Sequence, residues 1–170
     1  MPNLSKKNGF TLIELLIVMV IIGILATIGL ATFASSQMKS RDAKRKSDLQ
    51  QISRALELYY NDKGQYPAPA ADNSGNILGC GAGAVAACIW GDPNLKFSNT
   101  TTGTIYMVRL PADPSSNSYY YVATKVSGIY TKYQLYARLE NLQDKNIIVN
   151  GLNCGTGNCN YGVSSSNTTP

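Results

Sequence analysis

Two hydrophobic patterns divide the chain. From Leu15 to Ser36 no residue is charged, and from Asn3 to Tyr66 there is no proline. Leu15–Ala34 alone supplies 20 residues, which at about 1.5 Å each make roughly 30 Å of helix, about the thickness of a bilayer's hydrocarbon core. Gly23 and Gly29 lie within it, and glycine does not stop a membrane helix. The run predicts a membrane-spanning helix, apolar on every side. Further on the pattern becomes one-sided: Leu49, Ile52, Leu56 and Tyr59 recur at helical spacing and share one face. Asp42 stands four residues before Lys46, a spacing at which the two can pair. Asn61-Asp62-Lys63-Gly64 ends the helix with glycine in the stop position, and Tyr66-Pro67 leads away. One helix from about Phe10 to Tyr60, roughly 75 Å long, is expected.

The pattern then turns to short elements. Residues 68–104 are poor in charge and rich in Ala, Gly, Asn and Thr. They read as loops with one short helix near Ala82–Ala87. Tyr119–Val126 and Ile129–Leu139 are joined by Ser127-Gly128 and read as a β-hairpin. A two-residue turn sets Val126 opposite Ile129, Thr124 opposite Thr131, Val122 opposite Tyr133 and Tyr120 opposite Leu135, all on an apolar face. The other face would carry Lys125, Lys132, Gln134 and Arg138 with Tyr119, Tyr121 and Tyr136, and read as solvated or subunit-facing. Ile147-Ile148-Val149 is the expected third strand. The stalk's apolar face is the partner this sheet needs, so the fold class is α+β: a long N-terminal helix on a small antiparallel sheet.

Charge sharpens the division. The chain has 15 basic and 10 acidic residues, but residues 39–54 carry six basic and two acidic groups, while 55–170 has seven of each sign. The head is therefore neutral and the excess lies on the stalk, which disfavours a nucleic-acid partner. The absence of histidine removes the commonest general base and metal ligand, and neither a catalytic site nor a cofactor is expected. Four cysteines allow three pairings. The local loops Cys80–Cys88 and Cys154–Cys159 close at the least entropic cost and are the expected disulfides. A zinc site is the rival, but these spacings match no common zinc knuckle.

Glu14 is an acid near the start of an apolar run, where a carboxylate costs roughly 2.5–3.5 kcal/mol on insertion scales. Two readings leave it without a role: a residue at the headgroup boundary, or an ordinary secretory signal with a cleavage site near Ala34-Ser35-Ser36. The sequence Lys6-Lys7-Asn8-Gly9-Phe10-Thr11-Leu12-Ile13-Glu14-Leu15-Leu16, with the apolar helix after it, resembles the prepilin leader and cleavage site of type IV pilins and the related pseudopilins. The resemblance implies a prepilin peptidase that cuts between Gly9 and Phe10 and methylates the new amine of Phe10. It makes Glu14 the assembly glutamate, whose carboxylate pairs with the amine of a neighbouring subunit. Many family members carry a helix-kinking proline late in the segment, where this chain reads Gly29-Leu30-Ala31-Thr32. A second, weaker resemblance lies in Leu110-Pro111-Ala112-Asp113-Pro114, similar to a segment before the sheet in major pseudopilins. Asp113 reads as a turn residue there. Some major pseudopilins bind calcium further on, but no acidic residue lies from Ser115 to Leu139, and that site is not carried over.

The implied organisation is a leader at 1–9, a transmembrane and assembly helix at 10–36, an amphipathic stalk at 37–62, and an extracytoplasmic head at 63–170 with a flexible tail at Ser164–Thr169. The implied protein is single-pass in the membrane before assembly and then part of an extracellular pilus. Its partners would be lipid, the prepilin peptidase, the inner-membrane assembly machinery and other copies of itself in a helical polymer. A type II secretion pseudopilin is the alternative within the family. A DNA-uptake or adhesion component, a minor pilin whose head binds DNA or a surface ligand, is an alternative of a different class, and a simple signal-anchored envelope protein is the third. The flanking charges conflict with the implied orientation: Lys39, Arg41, Lys44, Arg45 and Lys46 outnumber Lys6 and Lys7, so a raw positive-inside count places the head in the cytoplasm. The leader and the cysteines argue for the opposite side.

Overall fold

In a computed structural model of the chain, residues 9–99 and 103–170 are described. The first helix, α1, runs Leu12–Lys63 and passes through both of the compact units into which the chain divides, Met1–Met38 and Lys39–Pro170. In the first unit the large apolar side chains from Leu12 to Leu25 are each at least 49% exposed. This surface far exceeds the few hundred Å² that a soluble monomer leaves open, and α1 is long and apolar enough to cross a membrane. In the second unit the one-sided pattern takes over. Leu49, Ile52 and Leu56 are fully buried, and Tyr59 packs against the same core. Gly64, at φ +70°, ends the helix by donating to the Tyr60 carbonyl at 2.7 Å, a left-handed stop that glycine adopts without a Cβ penalty.

Among the described residues seven strands follow: β1 Ile77–Cys80, β2 Ala86–Cys88, β3 Phe97–Ser98, β4 Ile105–Met107, β5 Tyr120–Val126, β6 Ile129–Ala137 and β7 Tyr161–Ser164. They form two antiparallel pairs, β1-β2 and β3-β4, and an antiparallel sheet in the order β5-β6-β7. The α+β class holds. The short helix expected near Ala82–Ala87 is instead a 3-10 turn, Ala82–Ala84, leading into β2. The Ile147-Ile148-Val149 run is not the third strand. The Asp144 carbonyl accepts from the Ile147 amide, Ile148 donates to Asn160, and Val149 is fully exposed, while β7 takes the edge beside β6.

The hairpin lies where its sequence places it, but its register differs. Ser127 and Gly128 both have positive φ, as a type I′ turn requires, and Val126 opposes Ile129. One residue later a bulge intervenes: Lys125 pairs with Tyr130 but Thr124 pairs with Lys132, so Thr131 is the extra residue. Beyond it Tyr121 opposes Leu135 and Tyr120 opposes Tyr136. With a period of two, a single-residue slip moves every β5 side chain to the other face. Tyr119 and Tyr121, expected on a solvated face, are buried with Tyr133, Leu135 and the α1 residues. Tyr120, Val122 and Tyr136 form a second cluster with Cys154 and Cys159, so the sheet is covered on both faces. The tail expected to be flexible is tied to β6. Ser165, almost fully buried, donates its amide to the Tyr133 carbonyl, and Asn167 and Gln134 bond across to Thr131 and Thr169.

Candidate functional site

Gly9, Phe10 and Thr11 precede α1 with no regular structure, and Phe10 is 85% exposed. The peptide bond between Gly9 and Phe10 therefore lies on exposed chain that precedes the helix. The rest of the expected leader, including Lys6 and Lys7, lies outside the described residues.

Glu14 stands in the first turn of α1, and its carboxylate already has a task. Its Oε2 accepts the Thr11 amide and the Thr11 hydroxyl, each at 2.8 Å, while the Glu14 amide donates back to the Thr11 hydroxyl at 3.3 Å. Thr11 is the N-cap and Glu14 the third helical residue, the reciprocal arrangement known as a capping box. The sequence carried this signal as Thr-x-x-Glu, and the reading of Glu14 as an assembly residue passed over it. No lysine or arginine among the described residues lies within ion-pair distance of Glu14, and its Oε1 makes no hydrogen bond among them. The carboxylate thus caps its own helix with one oxygen and keeps acceptor capacity on the other.

The second unit contains a charged site that the sequence did not reveal. Arg45, on α1, is fully buried, and all five of its N–H groups are used. Nε and Nη2 grip Asp113 at 2.7 and 2.9 Å, Nη1 donates to Asp42 at 2.7 Å and Glu140 at 2.9 Å, and Nη2 reaches the Ser115 hydroxyl at 2.7 Å. Arg41 adds a two-point pair with Glu140. The Asp42–Lys46 pair read from spacing does not form. Asp42 holds Arg45 and accepts the backbone amides of Glu140 and Asn141 at 2.9 and 2.8 Å, while Lys46 pairs with Asp144 at 2.5 Å. Asp113 is a turn residue, accepting the Ser115 amide at 2.8 Å, and in addition the main partner of Arg45.

The electrostatics follow from these contacts. Burial works to raise the Asp113 carboxyl, but Arg45 and Ser115 outweigh it and hold the group below the usual carboxylate range. Hydrogen bonding from Arg41, helped by Arg45, lowers Glu140 to about 2. Tyr119 donates to Asp48 at 2.8 Å, and burial first, then that carboxylate, pushes its hydroxyl well up. Four of the six basic residues between 39 and 54 are thereby paired with carboxylates.

Cys80 is bonded to Cys88, joining β1 to β2, and Cys154 to Cys159, closing the loop that covers Tyr136.

Comparison with known proteins adds the following. The family described as the prokaryotic N-terminal methylation motif matches residues 4–30. Type II secretion system core protein G of Pseudomonas aeruginosa is 32% identical over 130 residues, covering 76% of this chain and 83% of that protein. Core protein G of Escherichia coli K12 is 33% identical over 126 residues, covering 74% and 79%. The type IV major pilin protein PilA of Myxococcus xanthus is 39% identical over 61 residues, covering 36% of this chain and 28% of that protein. No solved structure matches.

Proposed function

The chain belongs to the family of type IV pilins and type II secretion pseudopilins, and from that premise we propose that it is the precursor of a filament subunit, processed between Gly9 and Phe10, methylated on the Phe10 amine and then polymerised. Members of this family are structural subunits, and no catalytic role is proposed. Residues 1–9 are the leader, 10–36 the transmembrane and assembly segment, 37–62 the stalk and 63–170 the extracytoplasmic head.

The observation that carries the reading is Glu14, the one charged residue between Lys7 and Lys39, held one helical turn from the bond to be cut. Cleavage turns the Phe10 nitrogen into a cation. Phe10 stands four residues before Glu14, about 6 Å along the axis once the helix extends to the new terminus, so copies staggered by that distance bring an amine to each carboxylate. In an apolar environment each charge makes the other tolerable. Glu14 keeps its Thr11 contacts throughout, because the Thr11 amide survives cleavage, and the free oxygen takes the amine. The apolar helix serves twice, first anchoring the monomer in lipid and then packing against other helices. Prepilin peptidase and the inner-membrane assembly machinery are the partners that this sequence of events requires.

Two filaments are compatible with these steps. A surface type IV pilus is the first reading. A secretion pseudopilus is favoured by one specific observation: the matches that extend over most of the chain are to core protein G, whereas the PilA match spans 36% of it. Mass spectrometry of the N-terminal peptide, with electron microscopy of material sheared from cells, tests both. N-methylated Phe10 in a filament-rich sheared fraction supports the pilus. N-methylated Phe10 found only in the envelope supports the pseudopilus. A terminus at Met1 or near Gln37 overturns processing at Gly9.

A further inference from the structure

An asparagine followed by a small residue is the context in which the next backbone amide can reach the side-chain carbonyl carbon. Among the described residues three asparagines have it: Asn73 before Ser74, Asn117 before Ser118 and Asn150 before Gly151. The fold treats them differently. The Ser74 amide donates to Asp72 at 3.0 Å and the Ser118 amide to the Cys154 carbonyl at 2.9 Å, so at both sites the attacking nitrogen is occupied. The Gly151 amide makes no hydrogen bond among the described residues. It lies in a segment without regular structure, where Val149 and Gly151 are exposed. The Asn150 side chain is held from its other end. Its Oδ1 accepts the Leu152 amide at 3.1 Å, which polarises the carbonyl and supplies a donor where an oxyanion would develop. Its Nδ2 is enclosed by the protein yet has no hydrogen-bond partner among the described residues, so its release breaks no contact.

We propose that Asn150 is a self-modification site, at which the chain deamidates through its own backbone. The Gly151 nitrogen bonds to the Asn150 Cγ, the Cγ–Nδ2 bond breaks, and the Gly151 proton leaves with Nδ2 as ammonia. Water then opens the cyclic imide, its hydroxyl adding to one of the two carbonyl carbons and its proton returning to the ring nitrogen. Opening at the side-chain carbon gives aspartate. Opening at the main-chain carbon gives isoaspartate, with one more carbon in the backbone. Either product places a carboxylate where the head had a neutral amide. The isoaspartyl link falls between two fixed points, the Ile148 amide on the Asn160 carbonyl at 2.8 Å and the Cys159 amide on the Leu152 carbonyl at 2.9 Å. Leu152 packs on the cluster of Tyr136, Cys154 and Cys159, so the longer backbone strains the cover of the sheet's second face. The reaction needs neither processing at Gly9 nor assembly.

Peptide mapping by mass spectrometry tests this on the full chain in detergent, incubated at about pH 8 and sampled over days. Deamidation adds about 1 Da, and Asn150 should gain it at least about 10-fold faster than Asn73 or Asn117. Electron-transfer fragmentation should find isoaspartate and aspartate together, the pair that a shared imide produces. Gly151→Ala should slow the reaction at least about 10-fold, because a Cβ crowds the attacking nitrogen and narrows its backbone freedom. A Cβ at Gly151 meets no atom within 4 Å, so this variant should fold normally, with unchanged near-ultraviolet circular dichroism. Unfolding in urea should change the rate at Asn150 by less than about 10-fold, since the folded chain already leaves the nucleophile free. A smaller lead over Asn73 and Asn117, less slowing in Gly151→Ala, a larger change in urea, or aspartate without isoaspartate overturns the proposal.

Discussion

Replacing Arg45 by Met should cost the head about 3–5 kcal/mol at neutral pH, because it strands a buried carboxylate. The carboxylates around Arg45 are not equally exposed to the loss. Asp42 keeps two backbone amides and Glu140 keeps Arg41. Asp113, whose side chain is fully buried, keeps only Ser115. The penalty therefore falls mainly on Asp113, and that gives it a pH signature. In the native protein the Asp113 carboxyl lies below its unfolded value, near 4. Its pair with Arg45 thus stabilises the fold above that pH and loses this contribution as pH falls. In the variant burial acts without Arg45, the folded carboxyl is raised, and the penalty is relieved as pH falls. The stability gap between the two proteins should narrow from pH 7 to pH 4. Urea unfolding of the full chain in detergent, followed by Trp90 fluorescence at both pH values, measures the gap. Arg45→Met combined with Asp113→Asn should recover at least about 2 kcal/mol of the loss. A gap below about 1 kcal/mol at pH 7, or one equal at both pH values, would refute the assignment of Asp113 as the stranded charge.

Acid should weaken the native head as pH drops from about 4 toward 2. Glu140, lowered to about 2 by Arg41, contributes stability that is fully present above its unfolded value and is lost on protonation; Glu140→Gln should flatten this part of a Tm-against-pH curve. Glu14→Gln should keep the helix cap, because glutamine serves in a capping box, yet lose the charge; Glu14→Ala loses both. Subunits of both variants should be processed at Gly9 but fail to assemble, and filaments from Glu14→Gln would show that capping is the residue's sole role. Removing the Cys154–Cys159 bridge by paired Cys→Ser changes should cost about 2 kcal/mol from chain entropy. It should also raise hydrogen exchange at Tyr120 and Tyr136, the residues its loop covers; unchanged exchange there would count against that cover.

What the sequence disclosed was periodicity, and what it concealed was a single inserted residue. Leu49, Ile52 and Leu56 could be assigned to the core because a helix face repeats at fixed intervals whatever it packs against. Gly64 and Ser127-Gly128 could be read because each needs a backbone conformation that few residues adopt. The β5 face was misread because both alternatives carry tyrosines, so the hydrophobic pattern did not choose between them and the bulge at Thr131 did. Tyr119 and Tyr121 are buried by that one residue. The third strand was misplaced for a related reason. Tyr161–Ser164 is weakly apolar beside Ile147-Ile148-Val149, but pairing with β6 is decided by backbone geometry rather than by local hydrophobicity.

The charged site shows a different limit. Counted along the chain, residues 39–54 form a basic collar that a topology rule reads as cytoplasmic. In space Arg41, Arg45 and Lys46 meet Glu140, Asp113 and Asp144, which lie 68 to 99 residues away in sequence. The carboxylates that neutralise the collar are the ones that made residues 55–170 look balanced. A composition can be divided at any residue, but a buried guanidinium with five donors must be matched where it lies. Arg45 and Asp113 therefore act as a registration device. Shifting the turn that carries Asp113 against α1 by one residue would strand two buried charges, whereas an apolar contact would tolerate the slip at smaller cost. The ion pair thus ties the turn that carries Asp113 to one position on α1, in addition to the apolar contacts of the Leu49–Leu56 face. This is why the Asp113→Asn rescue should restore stability more completely than it restores a single, well-ordered packing of the head.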